Sequence, residues 1–225
     1  MRGRAIPMLL TVMALVSSQA YAGADGKLEG EAYKASSEGM ALVPAGEFIY
    51  GPSENEQKIV LPAFYIDIYE VTNEAYAKVR PHQYPEDKHR YPVVGPSWYE
   101  AQRFCESVGK RLPTEQEWEK SARGTDGRRF PWGDIFDPTK ANTGRRYGGM
   151  TPVDKFPEGR SPYGVYDLVG NIWEWTASED GANKVVRGGL WFDGVIGTKA
   201  SYRNSFPPGK HLEYLGFRCA KDAHP

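Results

Sequence analysis

The chain's two cysteines, Cys105 and Cys219, are its only thiols. In a chain with an export signal, an even pair reads first as a disulfide. The competing reading is a reactive or copper-binding pair, because soft Cu(I) selects thiolates. Asp167 and Glu174 bracket a short loop with the carbonyls of Val169, Gly170 and Ile172 between them. Carboxylates and carbonyls are the hard oxygens that calcium takes, roughly six to eight at a time. By themselves, however, an acid at each end of a turn reads as surface charge. The four histidines, His82, His89, His211 and His224, show no H-x-x-x-H pairing. Trp173, Trp191, Tyr202 and Arg203 complete the set. Aromatic side chains are usually core, but an exposed one can stack on a ligand and an arginine can clamp a carboxylate.

Short strands and helices must position these groups. Alternating apolar residues predict strands within 41–50 and 64–69, the second leading into a helix capped by Thr72. Ser97 with Glu100, and Thr114 with Glu117, have the S/T-x-x-E spacing of a capping box. Gly109 and Gly124 stand where those two helices should stop. After Gly127 the helical signal fades and aromatics alternate with Gly, Pro, Asn and Asp at turn spacing. With 25 glycines and 17 prolines alongside 14 tyrosines, 9 phenylalanines and 6 tryptophans, the chain predicts a compact α+β fold built largely of ordered loops.

Residues 1–22 read as a cleavable signal peptide: Arg2 and Arg4, an apolar run from Ile6 to Val16, then Ala20-Tyr21-Ala22. Residues 23–38 are small, polar and aperiodic, a flexible leader to a single domain at 39–222. The expected location is therefore the periplasm or the medium, with no membrane attachment after cleavage. The net charge of −1 becomes more negative once Arg2 and Arg4 are removed, which argues against nucleic acid as a partner. The pairs Arg128-Arg129 and Arg145-Arg146 read as solvated loop charges.

The motifs AFYIDIYEVTNEAYAKV, GPSWYEAQRFCESVGKRLPTEQEWEKSARG, RRFPWGD, ANTG, PVDKFP, GVYDLVGNIWEWT, VVRGGLWF and LGFRC follow one another in this order. In that order they resemble the sulfatase-modifying-factor family, home of the formylglycine-generating enzymes. The resemblance implies a C-type-lectin-like α+β architecture, few short strands and a terminal hairpin that brings the chain ends together. It implies a Cys105–Cys219 disulfide and a calcium loop formed by Asp167, Val169, Gly170, Ile172 and Glu174. A second family calcium site starts at a turn matched by Asn142-Thr143, but the following insert is shortened here and that site is expected to be lost or weak. A ligand groove is implied at Trp173, Trp191, Asp193 and Arg203, with His211 beside it.

The family's oxidising members bind copper through two thiols in a segment matched here by residues 188–203, which holds no cysteine. Phe192, Asp193, Gly194 and Val195 lie near the lost thiols, and Leu190 stands at the position of an active-site serine. No copper is expected. The resulting expectation is an exported accessory or maturation factor that binds a polypeptide or small ligand without making formylglycine. The alternative is an oxidative enzyme of the same family with a different metal centre, so enzyme status stays open at the level of sequence.

Overall fold

In the computed structural model, which describes residues 39–223, short strands and three α-helices are joined by long ordered loops. The expected signal peptide and leader lie outside the described residues. The predicted strand at 41–50 is two strands, β1 (Met40–Val43) and β2 (Gly46–Tyr50). The break falls at Pro44, which has no N–H to give a ladder. β2 forms an antiparallel hairpin with β3 (Gln57–Leu61), while β1 pairs with β4 (Phe64–Asp67).

The helices follow their capping signals. α1 (Asn73–Ala77) starts where Thr72 Oγ1 accepts the amide of Ala75. α2 (Trp98–Ser107) begins where the amide and the hydroxyl of Ser97 both donate to Glu100 Oε2, and α3 (Glu115–Arg123) begins with a complete capping box. In α3 the amide of Glu117 donates to Thr114 Oγ1 and the amide of Thr114 donates back to Glu117 Oε2, at 3.1 and 2.8 Å. Such a cap is worth about 1 kcal/mol. Gly124 ends α3, and Gly109, left-handed at φ 73°, ends α2 one residue beyond its cap Val108, where the amides of Gly109 and Lys110 donate to the carbonyls of Glu106 and Cys105.

α3 lies against β2, β5 and β6 with even its charged side chains buried. Glu119 accepts from the amide of Gly51 and pairs with both Arg123 and Arg187. Lys120 Nζ donates to the carbonyls of Pro44 and Gly46. Buried charges persist only when they are paired in this way.

The C-terminal half supplies a four-stranded sheet in the order β7 (Arg203–Phe206), β6 (Asn183–Arg187), β5 (Trp173–Asp180) and β8 (Leu215–Phe217). β8 runs parallel to β5. The last strand, β9 (Ala220–Asp222), leaves this sheet and pairs with β4. The expected terminal hairpin is thus absent. Between β8 and β9 the chain turns Arg218 and Cys219 fully into the interior, which sends the two strands to different sheets. The two ends of the described residues still approach each other, because β4 lies between β1 and β9.

Cys105 on α2 and Cys219 are joined by a disulfide across a sequence separation of 114 residues. The bond ties the helix to the crossover between the sheets. In the chain-entropy account, closing a loop of that size contributes roughly 4–5 kcal/mol.

Candidate functional site

Glu174 sits at the start of β5 with no solvent exposure. Arg218 grips both of its carboxylate oxygens at 2.7 Å, and Trp118 Nε1 donates to Oε2 at 2.9 Å. The remaining guanidinium hydrogens of Arg218 reach the carbonyls of Asp67, Ile68 and Tyr166. One side chain from the LGFRC motif therefore closes the ends of three loop segments.

Beside this pair lie two further buried carboxylates, Glu70 and Asp167. Burial, with the nearby charges of Asp167 and Glu174, holds Glu70 well above the usual carboxylate range. Burial also raises Asp167; Arg218 counters the effect and Glu174 adds to it. Among the described residues, Glu70 Oε1 and Asp167 Oδ2 find no hydrogen-bond partner. An unmet acceptor in such a place normally costs about 1–3 kcal/mol or more.

The loop linking Asp167 to Glu174 is held open by its backbone. Asp167 and Asn171 are both left-handed, at φ 55° and 60°. Gly170, at φ 76°, passes so close to the next segment that a Cβ there would lie 2.1 Å from the carbonyl oxygen of Asn142. Asn171 fixes that approach. Its amide donates to Glu70 Oε2 at 2.8 Å, and its carbonyl accepts from Asn142 Nδ2 and from the amide of Thr151, both at 3.0 Å.

As a cation site this loop offers the unpartnered oxygen of Asp167 and main-chain carbonyls. Glu174 contributes less than its position implies, since both of its oxygens already accept hydrogen bonds. Among the described residues no group of three or more His, Cys, Asp or Glu side chains is placed to hold a metal ion. At the second turn, Asn142 Oδ1 and Thr143 Oγ1 are likewise buried without partners.

Residues 188–203 form the adjoining loop. Gly189, at φ 78°, packs where a Cβ would sit 2.3 Å from the carbonyl oxygen of Gly197, so the loop folds tightly back on itself. Asp193 Oδ2 accepts the amide of Leu190 at 2.9 Å and thereby caps the turn. Partial burial raises its carboxyl, and the Leu190 bond opposes the shift. The outer surface of this loop is apolar, with Phe192, Val195, Ile196 and Tyr202 exposed.

The expected groove residues divide between interior and surface. Trp173 is a buried core residue in the same cluster as Leu190, and its ring lies 5.7 Å from that of Tyr202. Trp191 is half-buried and edge-to-face with Phe192. Arg203 Nε donates to Glu115 Oε2 at 3.1 Å. His211 belongs elsewhere: Nδ1 lies 2.9 Å from the carbonyl oxygen of Gly95 and 3.5 Å from Glu100.

Arg145 is exposed, as expected of a loop charge, but its backbone is fixed. It is left-handed, at φ 63°, its amide donates to the carbonyl of Trp191, and its guanidinium lies 5.8 Å from the centre of the Phe192 ring. Gly144 donates likewise to Asp193. No local sequence signal marks this clasp, which joins segments more than forty residues apart. Neither cysteine is free to serve the loop, because each is bonded to the other.

The model of the sulfatase-modifying factor enzyme 1-like domain matches residues 26–223. The chain belongs to this family. It is 40% identical over 158 residues to inactive C-alpha-formylglycine-generating enzyme 2 of Bos taurus, covering 61% of this chain and 52% of that protein. It is 34% identical over 170 residues to the formylglycine-generating enzyme of Mus musculus, covering 60% and 45%. The chain thus spans about half the length of these curated relatives.

Among solved structures, Treponema denticola variable protein 1 superposes with a TM-score of 0.73 at 22% identity, covering 82% of this chain and 95% of that one. PvdO from Pseudomonas aeruginosa gives 0.71 at 25%, covering 82% and 94%. The loop-rich, single-domain α+β fold is that of the family.

Proposed function

We propose that this protein is an exported binding factor of the family, one that recognises a polypeptide or small ligand through the 188–203 loop and does not generate formylglycine. The observation that carries the reading is the state of its thiols. The chain has two cysteines, both fully buried and bonded to each other, so neither remains for a copper centre. Similarity to a relative named as inactive supports the same direction.

The 188–203 loop has the character of a recognition surface. It presents aromatic and aliphatic side chains on a backbone locked by Asp193, Gly189 and the Arg145 clasp. Rigid aromatics supply contact area at low entropic cost, and an arginine at the rim can meet a carboxylate. The site of action is the periplasm or the medium, following the reading of residues 1–22, and the partner is another exported molecule rather than nucleic acid or membrane.

Calcium has a structural place in this reading. Asp167, with the carbonyls of Val169, Gly170 and Ile172 and the remaining lone pair of Glu174 Oε1, would hold it. Its charge would balance a pocket in which three buried carboxylates face one arginine. Chelation should lower the melting temperature, since a ligand that binds only the folded state contributes about 2.7 kcal/mol at a hundred times its Kd. An unchanged melting curve, with no metal retained after purification in calcium, removes the cation from the account.

The binding reading is tested by immobilising the mature protein and its Trp191→Ala/Arg203→Ala variant. Each is exposed to the contents of the export compartment in which the protein is made. A partner retained by the first and lost by the second, at equal thermal stability, is the expected result. Equal capture by both places recognition outside this loop.

A further inference from the structure

A second cleft, sharing no residue with the 188–203 loop, opens where the segment after β4 meets residues 160–166. It has a volume of about 480 Å³, in the range of small-molecule sites, and Tyr69, Tyr166, Arg160, Ser161, Pro162 and Gly164 line it. Its floor is rigid. The amide of Tyr166 donates to the carbonyl of Ile68, and Arg218 donates to the carbonyls of both residues. The 161–165 turn is closed by Ser161, whose Oγ accepts the amides of Tyr163 and Val165 while its own amide donates to Val165.

On this frame the rings of Tyr69 and Tyr166 lie 4.9 Å apart at 43°, both partly exposed. Tyr69, Tyr166 and Arg160 line the cleft, and among the described residues neither phenol hydroxyl nor the Arg160 guanidinium has a hydrogen-bond or ion-pair partner. Two acids lie near Tyr69: Asp154 is occupied by Arg90 at 2.7 Å, and Asp167 is buried with the Arg218 charge nearby. Burial raises the Tyr69 phenol above its ordinary value, so it stays a proton donor at neutral pH. A cleft with aromatic faces, unspent donors and no lining carboxylate matches a flat ring bearing a planar anion.

We infer that this cleft binds an aromatic carboxylate, with the Arg160 fork and the tyrosine hydroxyls on the carboxylate and the two tyrosine rings against the ring of the ligand. A free aromatic acid and the C-terminal aromatic residue of a peptide present the same chemistry. Phenylacetate and N-acetylphenylalanine represent the two sources.

The experiment is a titration of the full chain with each probe, followed by two-dimensional NMR. 2-Phenylethanol serves as the uncharged control and acetate as the ringless one. The expected result is saturable binding of at least one aromatic acid, with Kd on the order of 1 mM for so few atoms, and at least about tenfold weaker binding of both controls. Tighter binding of N-acetylphenylalanine identifies the peptide terminus as the source; tighter binding of phenylacetate identifies the free acid.

Arg160→Gln should weaken the preferred probe about tenfold at unchanged melting temperature, because Arg160 is exposed and unpaired. The double change Tyr69→Phe/Tyr166→Phe, which keeps both rings, should weaken it by a smaller factor. Trp191→Ala should leave it unchanged, which separates this cleft from the proposed recognition loop. Acetate binding as tightly as the aromatic acids, an Arg160→Gln variant that binds equally well, or no saturable binding of either acid overturns the inference.

Discussion

The loop from Asp167 to Glu174 and the loop at 188–203 adjoin each other, yet they treat their side chains in opposite ways. The first turns its charges inward: Glu174 is 0% exposed, and every hydrogen bond its carboxylate accepts comes from a residue more than forty positions away. The second holds a comparably tight backbone but turns apolar side chains outward, with Ile196 73% exposed. A buried ion pair that fixes several segments tolerates little change, whereas an exposed loop on a fixed frame can change its chemistry without unfolding the protein. On the proposed reading, this division lets a chain keep the family's scaffold while the segment expected from the resemblance to match its copper centre holds Leu190, Phe192, Asp193 and Val195. The fold is shared, and the function depends on the site built upon it.

The comparison can be broken first at its strongest covalent link. Replacing Cys105 and Cys219 together with serine should lower unfolding free energy by roughly 4–5 kcal/mol. Denaturant unfolding of the oxidised protein against the double variant measures it. A loss below about 1 kcal/mol would show that the crossover holds without its bond.

The next test sets the two loops against each other. Glu174→Gln takes away the carboxylate that Arg218 grips with both branches, leaving only Glu70 and Asp167 to offset its buried charge, and should cost about 3 kcal/mol. Phe192→Ala and Ile196→Ala, on the exposed loop, should each stay within about 0.5 kcal/mol. Similar losses in both regions would erase the distinction between frame and reading surface.

A smaller effect belongs to the frame at alkaline pH. Burial pushes Tyr163 up to about 12 from an ordinary 10.0, with Arg128 opposing the shift and Asp126 adding to it. Burial likewise raises Tyr50 to about 12. Folding holds these protons more tightly than the unfolded chain does. Their stabilising contribution is therefore present below pH 10 and is lost as pH rises through about 12. Spectrophotometric titration should show a late tyrosinate fraction that shrinks in Tyr163→Phe. A curve unchanged by that substitution would show that Tyr163 ionises with the exposed tyrosines.

Much of the frame was legible in the residues because its signals are local. Thr114 and Glu117 sit three apart and make the cap that their spacing predicts. The cysteine pair and the ordered motifs pointed to the family and to its disulfide. Features that depend on distant partners left no such trace. The charges of EQEWEKSAR look like a solvated helix, and only the fold brings Gly51 and Arg187 to Glu119. The turn at Arg218 and Cys219 sends β8 and β9 to separate sheets, a long-range outcome that a hairpin-like spacing conceals. In the candidate site, Trp173 and Trp191 are equivalent as letters, but one is core and the other half-exposed. Glu70 and Asn171 went unmarked because their polar network forms only when four loop segments meet.

The most direct test of the claim that the scaffold persists without its oxidising centre is a peptide assay. The mature protein is supplied with copper, oxygen and a peptide carrying Cys-x-Pro-x-Arg, and the peptide is followed by mass spectrometry. Thiol oxidation of this kind needs a metal able to hold the substrate thiolate, and the 188–203 loop provides no thiolate for that metal. The account predicts an unchanged peptide mass at every time point. A mass loss corresponding to conversion of the cysteine to the aldehyde, dependent on this chain, would contradict it and establish an oxidase.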